Sequence, residues 1–150
     1  MKRRILLVDD DVAVLLTLKA VLELHDFEVQ TASSAAEAQA KLASGIYHMV
    51  ITDARMESET AGNDVIRAAR KQPYRPATAI LTAYPPSDTD WLTHGADSLL
   101  VKPIGVNDLV RQIEALLVQQ ADKAMPWPAA QEALGKDRKG LNRERRRKVS

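Results

Sequence analysis

The sequence predicts an α/β fold: a doubly wound, five-stranded parallel sheet in the order 2-1-3-4-5, flanked by five helices. Three observations predict it. Short aliphatic runs alternate with longer helical patterns, as in parallel strands joined by right-handed crossovers. The runs lack polar alternation, as at Val50-Ile51, which suits strands covered on both faces. Four of the runs also end on polar residues of complementary kinds. Ile5–Val8 leads into Asp9-Asp10-Asp11, Met49–Thr52 into Asp53, Ala79–Leu81 into Thr82, and Leu99–Val101 into Lys102-Pro103. In an open α/β sheet such residues meet at the carboxyl edge, where ligands bind.

The elements follow in order. After the first strand, Val12 to His25 carries Val12, Leu15, Leu16, Leu18 and Leu22, the spacing of a well-buried helix. Phe27 to Ala32 is the second strand. Ser33-Ser34 offers a cap for a helix over Ala35 to Ala43, which Ser44-Gly45 ends. Tyr47 to Thr52 is the third strand. Ala54 to Gly62 has no apolar period and reads as a loop, and Asn63 to Lys71 as a helix. Gln72-Pro73-Tyr74-Arg75-Pro76 breaks the chain before the fourth strand, Thr78 to Thr82. A short helix is expected over Asp88 to Thr93. Gly95-Ala96-Asp97 then turns into the fifth strand, and Val106 to Gln120 forms the last helix through Leu109, Ile113, Leu116 and Leu117.

Composition narrows the chemistry. At 150 residues one buried core is the expectation. Aromatic residues are few, so that core is aliphatic. Without cysteine there is no disulfide framework and no thiolate metal site, and the three scattered histidines do not suggest zinc. Lys2-Arg3-Arg4 mimics the start of a signal peptide, but the apolar stretch stops at Asp9, and no run approaches a membrane span. The expectation is a cytoplasmic protein with no membrane partner. The net charge of +1 hides a division: residues 121–150 hold nine Lys/Arg against four Asp/Glu, and residues 1–120 twelve against sixteen. The chain therefore reads as an acidic globule, residues 1–120, with a basic tail, residues 121–150, irregular apart from a short helix expected near 128–134.

The strand ends carry the functional signal. Adjacent carboxylates at Asp9 and Asp10 suit a hard cation such as Mg²⁺, which takes oxygen ligands. One aspartate in that triplet needs no role beyond capping the following helix. If strands one and three are neighbours, Asp53 faces Asp9 and Asp10 and offers a third ligand, a nucleophile, or both. Thr82 supplies a hydroxyl and Lys102 an ammonium for phosphoryl oxygens. A cis bond at Pro103 would turn Lys102 back over the sheet edge. The set is suited to phosphoryl transfer, which depends on charge neutralisation and positioning more than on acid-base work. The product would be an acyl phosphate on Asp53, a charge change able to bias nearby loops.

On these residues the chain resembles the receiver domain of two-component response regulators, of the single-domain, chemotaxis-regulator kind, over roughly residues 3 to 120. The resemblance implies a flavodoxin-like fold and a signalling protein rather than an enzyme, apart from self-catalysed phosphorylation from small phosphodonors and dephosphorylation. It implies Mg²⁺ held by Asp9, Asp10, Asp53 and the backbone carbonyl of Arg55. It makes Asp53 the phosphoacceptor, Thr82 the hydroxyl switch, Lys102-Pro103 the lysine pair, and Ala83 a small residue leaving room for the phosphoryl group. The implied partners are a sensor histidine kinase or phosphotransfer protein and a downstream protein, with the chain a monomer or weak homodimer. Two positions depart from the family pattern. Met56 is followed by Glu57 where proline is usual, with Gly62 about one residue late, and Leu99 stands where the family carries an aromatic switch. Arg55 and Tyr84, two residues beyond Asp53 and Thr82, are expected to shield the acyl phosphate from water.

Rival readings fit less well. A phosphatase of the haloacid dehalogenase type needs a second aspartate two residues after the nucleophile, where this chain has Arg55. A flavodoxin needs a hydroxyl- and glycine-rich phosphate loop where this chain has three aspartates. The basic run Arg143 to Lys148 supplies the alternative function, a phosphorylation-controlled nucleic-acid-binding protein acting through its tail. The plainer reading of that run is a solvated end.

Overall fold

The computed structural model describes residues 2–83 and 95–121. The helix expected over 88–93, with Tyr84 and Trp91, and the tail from residue 122 lie outside the described residues. The elements are β1 (Arg3–Val8), α1 (Val12–Leu24), β2 (Phe27–Ala32), α2 (Ala35–Ser44), β3 (Met49–Thr52), α3 (Ala61–Arg70), β4 (Ala77–Thr82), β5 (Ser98–Val101) and α4 (Val106–Ala121). The strands form one sheet in the order β2-β1-β3-β4-β5, and every neighbouring pair is parallel.

Strand alternation divides the core into two layers. Ile5, Leu7, Val29, Met49, Ile51, Ala79 and Leu81 face one side, where Leu15 and Leu22 of α1 and Leu109, Ile113 and Leu117 of α4 cover them. Leu6, Val8 and Val50 face the other, under Ala35, Ala38 and Leu42 of α2 and Ala61, Val65 and Ala69 of α3. A smaller group joins Ile66, Ile80 and Ala96, with Leu99 and Ala54 packed against it. Truncating one of the fully buried leucines or isoleucines of these layers to alanine costs about 2–5 kcal/mol.

Three sequence expectations change. First, α1 is not buried all round: Leu15 and Leu22 are buried, but Val12 is 60% and Leu16 62% exposed. One stripe of the helix meets the sheet, with Leu18 packed partly buried beside it, while Val12, Leu16 and Leu24 face solvent. Second, α3 begins at Ala61 rather than Asn63. Gly62 therefore sits in its first turn, where its N–H donates to the Ala54 carbonyl at 3.1 Å. Third, β3 begins at Met49, while Ile46 and Tyr47 pack into the core ahead of it. The caps follow the residue types. Ser34 caps α2 by accepting from the Glu37 amide at 3.1 Å, and Gly45 ends it.

The basic start of the chain joins the sheet. Arg4 pairs with Glu28, its register partner on β2, donates to the Ile46 carbonyl at 2.8 Å, and lies 4.9 Å from the Tyr47 ring centre. Its backbone N–H donates to His48 Nδ1 at 2.9 Å, so that nitrogen must be unprotonated. Burial, aided by the charges of Arg3 and Arg4, holds the His48 pKa below its ordinary value. The unfolded chain then takes up a proton on this histidine before the folded protein does. Stability is therefore full above the ordinary histidine pKa and falls as pH drops through the lower folded value. Urea unfolding at pH 7.5 and 5.5 checks this: the loss on acidification is expected to be smaller in His48→Gln than in wild type.

Candidate functional site

The backbone ladder assembles the site. The Asp9 amide donates to the Ala32 carbonyl at 3.1 Å, the Asp53 amide to the Val8 carbonyl at 2.8 Å, and the Lys102 amide to the Thr82 carbonyl at 2.8 Å. Each bond carries the parallel pairing one residue beyond a strand end. Asp9, Asp53 and Lys102 are thereby fixed at one edge of the sheet, beside the end of a neighbouring strand.

Side chains complete the arrangement. Asp9, Asp10 and Asp53 each offer an oxygen, and these atoms lie within 4.8 Å of one another. Lys102 Nζ stands 2.9 Å from Asp9 Oδ2 and 3.6 Å from Asp53 Oδ2, and the Lys102–Pro103 peptide is cis. The remaining oxygens are held by amides. Asp9 Oδ1 accepts from the Asp11 N–H at 3.0 Å, and Asp53 Oδ1 from the Ala54 N–H at 2.7 Å. Asp9 is buried, Asp53 partly so, and Asp10 is exposed. The triplet of aspartates divides its work: Asp11 is the capping residue, accepting from the Ala13 and Val14 amides of α1, which leaves Asp9 and Asp10 for the cluster.

The electrostatics follow from this crowding. Burial raises the Asp53 pKa from its ordinary value. Lys102 opposes that rise, Asp9 adds to it, and the amides of Ala54 and Arg55 counter it. Burial would lower the Lys102 pKa, but its bond to Asp9 and the charges of Asp53 and Asp9 outweigh burial and raise it. One ammonium faces three carboxylates, so the cluster carries an excess of negative charge.

The donor set fits a small hard cation. Octahedral Mg²⁺ with oxygens at about 2.1 Å spans about 4.2 Å between opposite ligands, close to the spread of the three carboxylates. The other predicted residues lie nearby in sequence and fold. Thr82 is buried at the end of β4, with Lys102 bonded to its carbonyl. Ala83 and Arg55 are exposed, whereas Tyr84, Arg55's expected companion in shielding, lies outside the described residues. Leu99 is half-buried against the Ile66–Ile80 group.

Three supporting residues were not assigned these parts by the sequence reading. Thr52 is fully buried, and its hydroxyl donates to the Asp53 carbonyl at 2.9 Å; a threonine closing a strand gives no signal of this in sequence. Gly62 packs so tightly that a Cβ there would come within 2.7 Å of the Ala54 Cα and would also strike the Asp53 carbonyl. Glycine at the start of a helix therefore serves close approach rather than a turn. Glu57 reaches across to α2, accepting from the Ala35 amide at 2.9 Å, a contact between residues too far apart in sequence to be read from local pattern.

A doubly wound sheet with carboxylates and a lysine gathered at its carboxyl edge defines a phosphoacceptor signalling domain. The chain belongs to the response regulator receiver domain family, whose model matches residues 5–114. It is 37% identical over 131 residues to the alginate biosynthesis transcriptional regulatory protein AlgB of Pseudomonas aeruginosa, covering 80% of this chain and 29% of that protein. It is 36% identical over 121 residues to the transcriptional regulatory protein CpxR homolog of Haemophilus influenzae, covering 79% and 52%. The chain thus spans about half or less of these relatives. Among solved structures, a CheY-like receiver domain protein from Methanospirillum hungatei superposes with a TM-score of 0.76 at 28% identity, covering 83% of this chain and all of that one. The response regulator TrrA of Thermotoga maritima, solved in complex with Mg²⁺ and BeF, gives 0.68 at 32% identity, covering 76% and 98%.

Receiver domains are phosphoacceptor signalling domains of two-component systems rather than classical enzymes. They bind Mg²⁺ at an acidic pocket and interact with histidine kinases or phosphotransfer proteins. Among the described residues, no helix is long and apolar enough to cross a membrane.

The charge balance makes a prediction. Asp10 is the exposed member of the cluster and makes no ion pair with Lys102 among those the described residues show. Asp10→Asn is expected to raise stability in metal-free buffer by a few tenths to about 1 kcal/mol, the scale of exposed charge interactions. Urea denaturation with a chelator present checks this, and a lower midpoint would contradict it.

Proposed function

We propose that Asp53 of this chain accepts a phosphoryl group from a sensor histidine kinase or phosphotransfer protein, with Mg²⁺ held by Asp9, Asp10, Asp53 and the Arg55 carbonyl. The observation that carries this reading is the meeting of three carboxylates within 4.8 Å beside the Lys102 ammonium. When bound, Mg²⁺ would neutralise the excess negative charge and offer positive charge to the phosphoryl oxygens. An Asp53 carboxylate oxygen attacks phosphorus in line, the P–N bond of the donor phosphohistidine breaks, and its imidazole leaves with the bonding pair and is protonated. The product is a mixed carboxylic-phosphoric anhydride on Asp53. Lys102, already poised between Asp9 and Asp53, pairs with a phosphoryl oxygen, and the Thr82 hydroxyl donates to another. Trading its carboxylate partner for the phosphoryl group draws Lys102 and Thr82 toward Asp53. That shift changes the surface around β4 and β5 that a downstream protein would recognise.

In this reading residues 1–120 form the receiver and 121–150 a basic tail, the chain acts in the cytoplasm, and it is a monomer or weak homodimer. Leu99 has no ring to swing between buried and exposed states, so the output is expected to rely on Thr82 and the backbone around Lys102.

Incubation with Mg²⁺ and acetyl phosphate, followed by mass spectrometry, tests the assignment. One added phosphate is expected, located on Asp53 and lost in Asp53→Ala or with a chelator; modification elsewhere, or independent of metal, contradicts it. Lys102→Ala is expected to slow the modification at least tenfold, since it removes a charge that stabilises the transferring group.

One observation favours a second output. The relatives AlgB and the CpxR homolog are named as transcriptional regulators, and the tail of this chain holds Arg143 to Lys148. A nucleic-acid role through that tail predicts a gel shift that weakens steeply with salt and is lost on removing residues 121–150. No shift from the full chain, phosphorylated or not, leaves protein binding as the output.

A further inference from the structure

Glu57 stands where the family pattern has proline, and the structure gives it a partner. Its Oε2 accepts from the Ala35 amide at 2.9 Å. Ala35 opens α2, and such first-turn amides lack partners within the helix. The α2 cap does not supply one, because Ser34 Oγ accepts from Glu37 while the Glu37 carboxylate turns back to the Ser33 amide and hydroxyl at 2.7 and 3.2 Å. Glu57 therefore reaches 22 residues back along the chain to complete the end of another helix, placing negative charge where the helix dipole favours it.

The neighbouring residues strengthen the attachment. Met56 packs against the core group that includes Ala35, Ala38 and Leu42, and its amide donates to the Ser58 carbonyl at 3.1 Å. On the other side of Asp53's loop, the Gly62 amide holds the Ala54 carbonyl. The segment Ala54–Glu57 is thus held at both ends, by α3 through Gly62 and by α2 through Glu57, with Met56 packed on the core between them. Arg55 lies between these anchors.

We propose that Glu57 is a positioning residue for the cation site: its bond to Ala35 holds the Ala54–Glu57 backbone in place beside Asp53 and thereby sets the affinity of the acidic cluster for Mg²⁺. The proposal rests on the reading in which the Arg55 carbonyl joins that site. Linkage makes the effect reciprocal. If the latch favours cation binding, cation binding favours the latch, and the Ala35 amide becomes better protected when Mg²⁺ is present.

Mg²⁺ titration by calorimetry on the full chain, together with amide hydrogen exchange at Ala35, tests this in wild type, Glu57→Ala, Glu57→Gln and Asp10→Asn. Glu57→Ala is expected to weaken Mg²⁺ binding on the order of tenfold, as loss of a residue that orients metal ligands does. Glu57→Gln, which keeps an acceptor oxygen, is expected to recover most of the affinity. In wild type, Mg²⁺ is expected to slow exchange at Ala35; in Glu57→Ala that slowing is lost. Equal affinity in wild type and Glu57→Ala, with Asp10→Asn weakened, overturns the latch and leaves the cation site standing. Absence of Mg²⁺ binding in wild type overturns the cation reading itself. Should Glu57→Ala not fold, exchange in wild type decides: Ala35 protection indifferent to Mg²⁺ overturns the proposal.

Discussion

The site depends on the parallel hydrogen-bond ladder continuing one residue past the ends of the strands. The bond from the Asp53 amide to the Val8 carbonyl, and that from the Asp9 amide to the Ala32 carbonyl, are ordinary sheet bonds. Their consequence is that two acidic residues, 44 positions apart, stand beside each other with little freedom to separate. Lys102 is held in the same way by the end of β4. The functional groups are extensions of the sheet rather than ornaments on a loop, so the rigidity of the two-layer core passes directly to them.

That rigidity has an electrostatic cost. Two carboxylates whose oxygens lie within 4.8 Å of each other repel by roughly 3 kcal/mol or more at an effective dielectric of 20, and by less where Asp10 meets solvent. Lys102 relieves part of the repulsion, bonding Asp9 closely and Asp53 at longer range. The remainder gives the cluster its attraction for a divalent cation and then for a phosphoryl group, whose arrival redistributes the partners of Lys102. Stability and responsiveness therefore oppose each other at this edge: the crowding that weakens the empty cluster makes it sensitive to what binds there.

Much of this was legible in sequence, for physical reasons. Val50-Ile51 and Ile80-Leu81 point to opposite layers and are both buried, which is why uninterrupted aliphatic runs marked a doubly wound sheet. The polar residues closing those runs could be grouped because a parallel sheet puts every strand end at one edge. Apolar spacing overstates the burial of α1, since Val12 and Leu16 share it with Leu15 and Leu22 yet face solvent; periodicity does not say how wide a stripe the sheet will cover. The structure starts α3 earlier than the sequence pattern does because Gly62 reads as a loop residue, whereas it is needed where backbone meets backbone. The contact of Glu57 with Ala35 joins a loop to the first turn of α2 through tertiary packing, and no local pattern announces it.

The central claim is that distant stretches of chain build one cation cage beside Lys102. Substituting Mn²⁺ for Mg²⁺ and recording amide NMR spectra measures this directly, because the paramagnetic ion broadens signals according to distance. The account predicts that the amides of Asp9, Asp10, Asp53 and Arg55 vanish at the lowest Mn²⁺ additions, while those of Leu22, Phe27 and Leu117 at the opposite end persist. Broadening centred elsewhere, or spread evenly over the acidic surface, would contradict it.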